Sequence, residues 1–232
     1  MMRKFFQRKQ KAFHSTDPEL EAYFQQFKVK RKGNTPISDL SFVVLDTETT
    51  SIQVKKAQLL SIGAIRVNHQ GIHVPEVFEA QFAPLGPSTS DSIPIHGIIP
   101  ENISKQLMGE DTLKAFLGFL GDAILVGHHI QYDVEMLNKY SKQYWGFPIQ
   151  NARLDTNVLA TRALGAPNLS DRPYSLDELC QYFSIKMHDR HTASGDAFLT
   201  AQLFIKILPL LQRKGVQTLE QLLSRGIKRY AY

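Results

Sequence analysis

The sequence predicts an α/β fold: a mixed five-stranded sheet in the order 3-2-1-4-5, flanked by helices, with a helical appendage at the N-terminus. Three observations carry this. Three strand-like segments follow one another between residues 41 and 82, the last two joined by the polar turn NHQG, the pattern of an antiparallel meander. Helical and strand patterns then alternate to residue 211, the pattern of parallel strands joined by crossovers. Pro75 falls inside the third strand, and proline cannot donate to a ladder, so that strand takes an edge and the first becomes central.

At the N-terminus, Asp17 is a capping residue and Pro18 suits a first helical position. Leu20, Tyr23, Phe24 and Phe27 recur at helical spacing, so this helix needs a surface to dock on. Residues 30–36 (KRKGNTP) read as the linker after it. The run SFVVL, 41–45, is short, β-branched and apolar, which suits a strand buried on both faces and ending at Asp46. LLSIGAIRV, 59–67, is the second strand, and NHQG is its turn. In the third, Ile72, Val74, Phe78, Ala80 and Phe82 alternate as inward positions. Residues 84–100, rich in Pro, Ser and Gly, form a long functional loop.

The second half reads as helix 111–120, strand 123–126, helix 132–140, strand 153–155, helix 156–164, helix 175–183 and a long helix 192–211. The last is apolar nearly all round, hence buried, and Pro209 is expected to kink or end it. Residues 218–223 form a final short helix. The expected domains are 1–36 (basic arm, helix and linker), 37–213 (the α/β body) and 214–232 (a short tail).

Of 232 residues, 27 are Lys or Arg and 22 are Asp or Glu, a net charge of +5. Residues 1–32 hold nine of the basic residues and three of the acids. The remaining 18 and 19 leave the body near neutral. A terminal block of like charge fits nucleic acid or an anionic surface, and equally a solvated tail. With 43% apolar residues the chain can hold a full core. No uninterrupted apolar run reaches the roughly 18 residues of a membrane span, so no membrane partner is expected. One cysteine excludes an internal disulfide framework and a Cys-rich zinc module. The N-terminus lacks the apolar stretch of a secretory signal, and a cytoplasmic location is expected.

Four acids and one histidine fall at element ends. Asp46 and Glu48 are two apart and share a strand face. Two carboxylates together on an apolar strand are costly unless a cation compensates, and oxygen ligands suit Mg²⁺ or Mn²⁺. Asp133 opens a helix in VGHHIQYD, and His191 and Asp196 stand in HTASGDA at the entry to the long helix. Singly, each has an ordinary reading as a cap or a solvated charge. Cys180 shares an apolar helix face with Leu176 and Leu179 and reads as structural.

LDTETTS (45–51), GHHIQYDVEML (127–137) and HTASGDA (191–197) resemble the three motifs of the DnaQ-like 3′–5′ exonucleases in their His-containing branch, which includes the epsilon subunits of bacterial DNA polymerase III. IHGI (95–98), LDTNVLATR (154–162) and SLDELCQYF (175–183) add minor matches. The resemblance implies an RNase H-like fold over residues 40–211. It implies that Asp46, Glu48, Asp133 and Asp196 hold two divalent metal ions and that His191 is the general base. It implies that Thr49, Thr50, His96 and Ile98 wrap the terminal nucleotide. The implied substrate is nucleic acid with a 3′ end, DNA before RNA, and a polymerase subunit is an alternative partner. Only 21 residues follow Leu211, little for a long tether, so the expectation is a free-standing enzyme or one that meets partners through its N-terminal helix. Two positions depart from the pattern: Ser51 where Gly is common and His129 where Asn is common.

Overall fold

The computed structural model describes residues 15–82, 109–165 and 173–224. Five strands form one sheet in the order β3-β2-β1-β4-β5. They are β1 (Phe42–Thr49), β2 (Leu59–Asn68), β3 (Gly71–Gln81), β4 (Ile124–Gly127) and β5 (Arg153–Asp155). β1 pairs antiparallel with β2 and parallel with β4, and β4 is parallel to β5. The carboxyl ends of β1, β4 and β5 therefore open on one side, with the switch in direction at β1, the position where α/β sheets place their sites.

β1 is longer than its apolar run. It continues through Asp46 and Glu48 to Thr49, pairing Asp46 with Gly63 and Glu48 with Ser61. Small partners on β2 leave room for two carboxylates inside the ladder. β3 is the edge strand, as Pro75 requires. Its register passes from Ile65↔Val77 to Arg66↔His73, leaving Val74, Pro75 and Glu76 as unpaired extra residues. Three is an odd number, so the strand changes faces across this bulge. Ile72 packs on one core while Phe78, Ala80 and Phe82 pack on the other. Val74, expected to point inward, lies in the bulge and is exposed.

The helices are α1 (Pro18–Gln25), α2 (Gly109–Leu120), α3 (Gln131–Trp145), α4 (Thr156–Leu164), α5 (Leu176–Tyr182), α6 (Ala193–Arg213) and α7 (Leu219–Leu223). One face of the sheet, with Phe42 and Val44, meets α4, α5 and α6 in one core. The other, with Val43 and Leu45, meets α1, α2 and α3 in a second. α3 runs a turn beyond its expected end and stops at Gly146, whose φ of +77° suits glycine. α5 starts on a capping box between Ser175 and Glu178.

α6 does not end at Pro209; it continues to Arg213. Proline removes one hydrogen bond there, and burial of Ile207 and Leu211 on either side holds the last turn in line. By length and mean hydropathy α6 reaches what a membrane span needs, although charged and polar residues interrupt its apolar run. Its packing against β1 and β2 accounts for that apolarity.

α1 is docked. Tyr23 and Phe24 are buried, and Phe24 meets Phe147 edge-on at 4.5 Å. The Tyr23 hydroxyl donates to Asn151 Oδ1 at 2.6 Å, and Asn151 donates in turn to the carbonyls of Gly121 and Ala123. α1 thus closes the amino ends of β4 and β5, the end remote from the carboxyl-end opening. The linker and the chain after α6 also meet: Leu219 N–H donates to Thr35 O at 2.9 Å and Ile37 N–H to Gln217 O at 3.0 Å.

Candidate active site

β1 alternates, so Asp46 and Glu48 follow Phe42 and Val44 on the α6 face. Asp196, in the first turn of α6, meets them there. Its approach depends on Gly63: a Cβ at that position would lie 2.3 Å from the Ala193 carbonyl carbon and the Ser194 nitrogen. The first turn of α6 rests directly on the β2 backbone, capped by Thr192, whose hydroxyl accepts from Gly195 N–H at 3.1 Å. Asp46, Glu48 and Asp196 each present a carboxylate oxygen, all within 4.8 Å of one another.

Asp133 approaches β1 from α3, on the other face. Its Oδ1 accepts from Thr47 N–H at 3.0 Å and from the Thr47 hydroxyl at 2.7 Å. Asp133 is close enough to Asp46 to act on it electrostatically. The structure therefore clusters Asp46, Glu48 and Asp196 and places Asp133, bonded to Thr47, within electrostatic reach of Asp46.

Their charges oppose one another. Desolvation pushes the Asp46 carboxyl well above the usual range, and Asp133, Asp196 and Glu48 add to it, with Arg190 opposing. Glu48 is pushed up to about 7 by desolvation and then by Asp196. Asp133 is pushed up to about 7 by desolvation, against its bonds from Thr47. A crowded set of hard oxygen donors short of positive charge can hold a divalent cation.

A family model described as exonuclease, of the RNase T type, matches residues 43–204, which include every one of these acids. The chain belongs to this exonuclease family. It is similar to the DNA polymerase III subunit epsilon of Aquifex aeolicus, 37% identical over 181 residues, covering 73% of this chain and 81% of that one. It is similar to the PolC-type DNA polymerase III of Thermotoga maritima, 29% identical over 189 residues, but spans only 13% of that protein's length. In fold it resembles exonuclease X in complex with 5′ overhanging duplex DNA, with a TM-score of 0.59, 22% identity and coverage of 78% of this chain and 96% of that one. The fold is RNase H-like, and the exonuclease is DnaQ-like.

The other predicted residues are placed unequally. The backbone N–H of His191 donates to Asp196 Oδ2 at 3.3 Å, but its side chain is exposed and its φ is +64°. Thr49 and Thr50 use their hydroxyls locally. Thr49 Oγ1 lies 2.6 Å from the Tyr132 hydroxyl, and Thr50 Oγ1 accepts from Gln58 N–H at 2.9 Å. His96 and Ile98 lie outside the described residues.

The departures are accommodated. His129 sits at φ +59°, a conformation asparagine tolerates best among residues other than glycine. Ser51 needs no positive φ, and its carbonyl accepts from the Tyr132 hydroxyl.

Several residues that hold this exonuclease's site together carry little or no signal in the sequence. Thr47 reads there only as the spacer between two acids. Gly63 has a signal, since glycine inside a strand marks a close approach. Asp155 caps α4, accepting from Asn157 N–H at 2.9 Å, and its charge acts on Asp133. Lys139 donates to the carbonyls of Val54, Lys55 and Ala57 at 3.1, 3.3 and 2.6 Å, fastening the 50–58 loop to α3. Cys180 is buried, and desolvation raises its thiol to about 11, which fits a structural role.

Proposed function

We propose that this exonuclease is a metal-dependent 3′–5′ enzyme of the His-containing type. It hydrolyses phosphodiesters from the 3′ end of DNA, single strands by preference, and releases nucleoside 5′-monophosphates in proofreading or repair. The observation that carries the reading is the convergence of Asp46, Glu48 and Asp196 within 4.8 Å, with Asp133 fastened beside them by Thr47. The epsilon-subunit relative supports a polymerase as partner. A cytoplasmic location belongs to the same proposal.

The four acids would hold two Mg²⁺ or Mn²⁺ ions. Bound there, such ions activate a water molecule and stabilise the leaving 3′-oxygen. His191 takes the proton of that water at a ring nitrogen, which requires its exposed side chain to turn inward. Oxygen from water bonds to phosphorus and the bond to the 3′-oxygen breaks, leaving a 5′-monophosphate and a strand shortened by one nucleotide. Thr49, Thr50, His96 and Ile98 would surround the terminal nucleotide, hydroxyls toward sugar and phosphate and Ile98 toward the base.

The test uses 5′-labelled single-stranded DNA and RNA with Mg²⁺, Mn²⁺ or EDTA, alongside Asp46→Ala and His191→Ala. A metal-dependent ladder from the 3′ end of DNA, abolished in both variants, is expected. Activity surviving Asp46→Ala would sink the assignment. Degradation of RNA in preference to DNA would make the enzyme an exoribonuclease on the same site.

A further inference from the structure

Arg190, immediately before His191, sits between two acids. Its Nη1 makes an ion pair with Asp196, and its Nε donates to Asp177 Oδ1 at 2.6 Å. The Arg190 side chain is 23% exposed and that of Asp196 10%, so the pair is partly withdrawn from water. Its charge reaches Asp46 and Glu48 as well. Asp196 is also one of the three carboxylates that can hold a divalent ion. Two cations on one carboxylate would stand within about 4 Å of each other and repel strongly in a partly desolvated site.

We propose that Arg190 is a built-in counter-cation that competes with the divalent ion for Asp196, and that Asp177 is the post to which it retreats when the ion binds. This rests on the metal-dependent reading above. The geometry favours exchange over simple blockade. A guanidinium has donors on several sides, so it can release Asp196 through Nη1 and keep Asp177 through Nε. The neighbouring residues Asp189 and His191 both have left-handed backbones, so the segment carrying Arg190 is held away from relaxed geometry on either side. Arg190 would then be a positioning residue that keeps the carboxylates compensated until metal arrives and sets the metal concentration at which the enzyme loads.

The test is calorimetric titration of Mn²⁺ into the native chain, Arg190→Gln, Asp177→Asn and the double variant, without substrate. Arg190→Gln should tighten Mn²⁺ binding about tenfold, the value of one charge-assisted contact. Asp177→Asn should weaken it several-fold, because Arg190 then has only Asp196 to hold. In the Arg190→Gln background, Asp177→Asn should change nothing, since the post has nothing to receive. An equal effect of Asp177→Asn in both backgrounds would overturn the exchange and leave only a long-range charge effect. So would Mn²⁺ affinity unchanged or lowered by Arg190→Gln. If Arg190→Gln does not fold, Arg190→Lys serves, since an ammonium is a single point charge unsuited to two acids; unchanged affinity there counts equally against the proposal. Absence of Mn²⁺ binding in the native chain is a different result: it removes the metal reading itself.

Discussion

Thr47 holds Asp133 twice, through its backbone N–H at 3.0 Å and its hydroxyl at 2.7 Å, both on Oδ1. Thr47 is the residue between Asp46 and Glu48. The central strand therefore presents two acids to one face and, with the intervening side chain, fixes a third that arrives from the opposite face. Asp133 belongs to α3, so this clasp also fixes α3 against the sheet.

Thr47→Val keeps the shape and the backbone bond but removes the hydroxyl from a buried carboxylate. It should cost about 1–2 kcal/mol in urea unfolding and lower the exonuclease rate about tenfold or more. Thr47→Ser should restore most of both. A Thr47→Val enzyme of native stability and rate would show that the backbone bond alone suffices.

Gly63→Ala places a methyl group 2.3 Å from backbone atoms at the start of α6. That turn must move, and with it Asp196, so about 1–3 kcal/mol of stability and most of the activity should be lost. Gly118, in α2, is the control: a Cβ added there would meet nothing within 4 Å, and alanine should stabilise by up to about 1 kcal/mol. Equal effects at the two positions would contradict the close approach of α6 to β2.

The acids predict an unusual pH dependence in chelator. Asp46, Asp133 and Glu48 all sit above their ordinary values, the last two at about 7. A carboxyl raised on folding binds its proton more tightly in the native state. Its contribution is full below the unfolded value near 4 and is lost as pH rises through the folded value near 7. In EDTA the melting temperature should therefore fall between about pH 4 and pH 7, and Asp133→Asn should flatten that fall. Mg²⁺ affinity should rise over the same window, because the ion needs the deprotonated acids. A melting temperature that climbs with pH in EDTA would speak against the crowding of these groups.

Lys139→Met removes a cation from three carbonyls of the 50–58 loop, and Tyr132→Phe removes the hydroxyl that meets Thr49 and Ser51. Neither side chain is among the four acids. Both variants should raise KM for oligonucleotide several-fold more than they lower kcat if, as proposed, Thr49 and Thr50 meet the terminal nucleotide. A pure kcat effect would place the loop's role elsewhere.

Truncation separates the basic arm from α1. Removing residues 1–14 leaves every described contact of α1 in place. Removing residues 1–32 also takes out Tyr23, Phe24 and the Asn151 network, which should cost about 3–5 kcal/mol or more by loss of buried aromatic side chains. Salt dependence of DNA binding should therefore be measured on the shorter truncation, where a flattened slope assigns the arm to nucleic acid.

By itself the sequence determined the strand order, the docked first helix and the four acids, because each is written in a local period or motif. Alternation marked the strands, helical spacing marked Leu20, Tyr23 and Phe24, and Pro75 marked the edge. Where local rules met a tertiary partner, the partner decided. β1 runs on through two acids because Gly63 and Ser61 face them. Val74 turned outward because three residues bulge from β3. α6 passed Pro209 because Ile207 and Leu211 on either side of it are buried. The site divides in the same way. The sequence supplied the carboxylates, and only the fold joined Thr47 to Asp133, rested α6 on Gly63 and set Arg190 between Asp177 and Asp196. Those contacts span faces and layers of the sheet, and a one-dimensional pattern records which residues lie near one another in the chain, not which ones packing brings within hydrogen-bond reach.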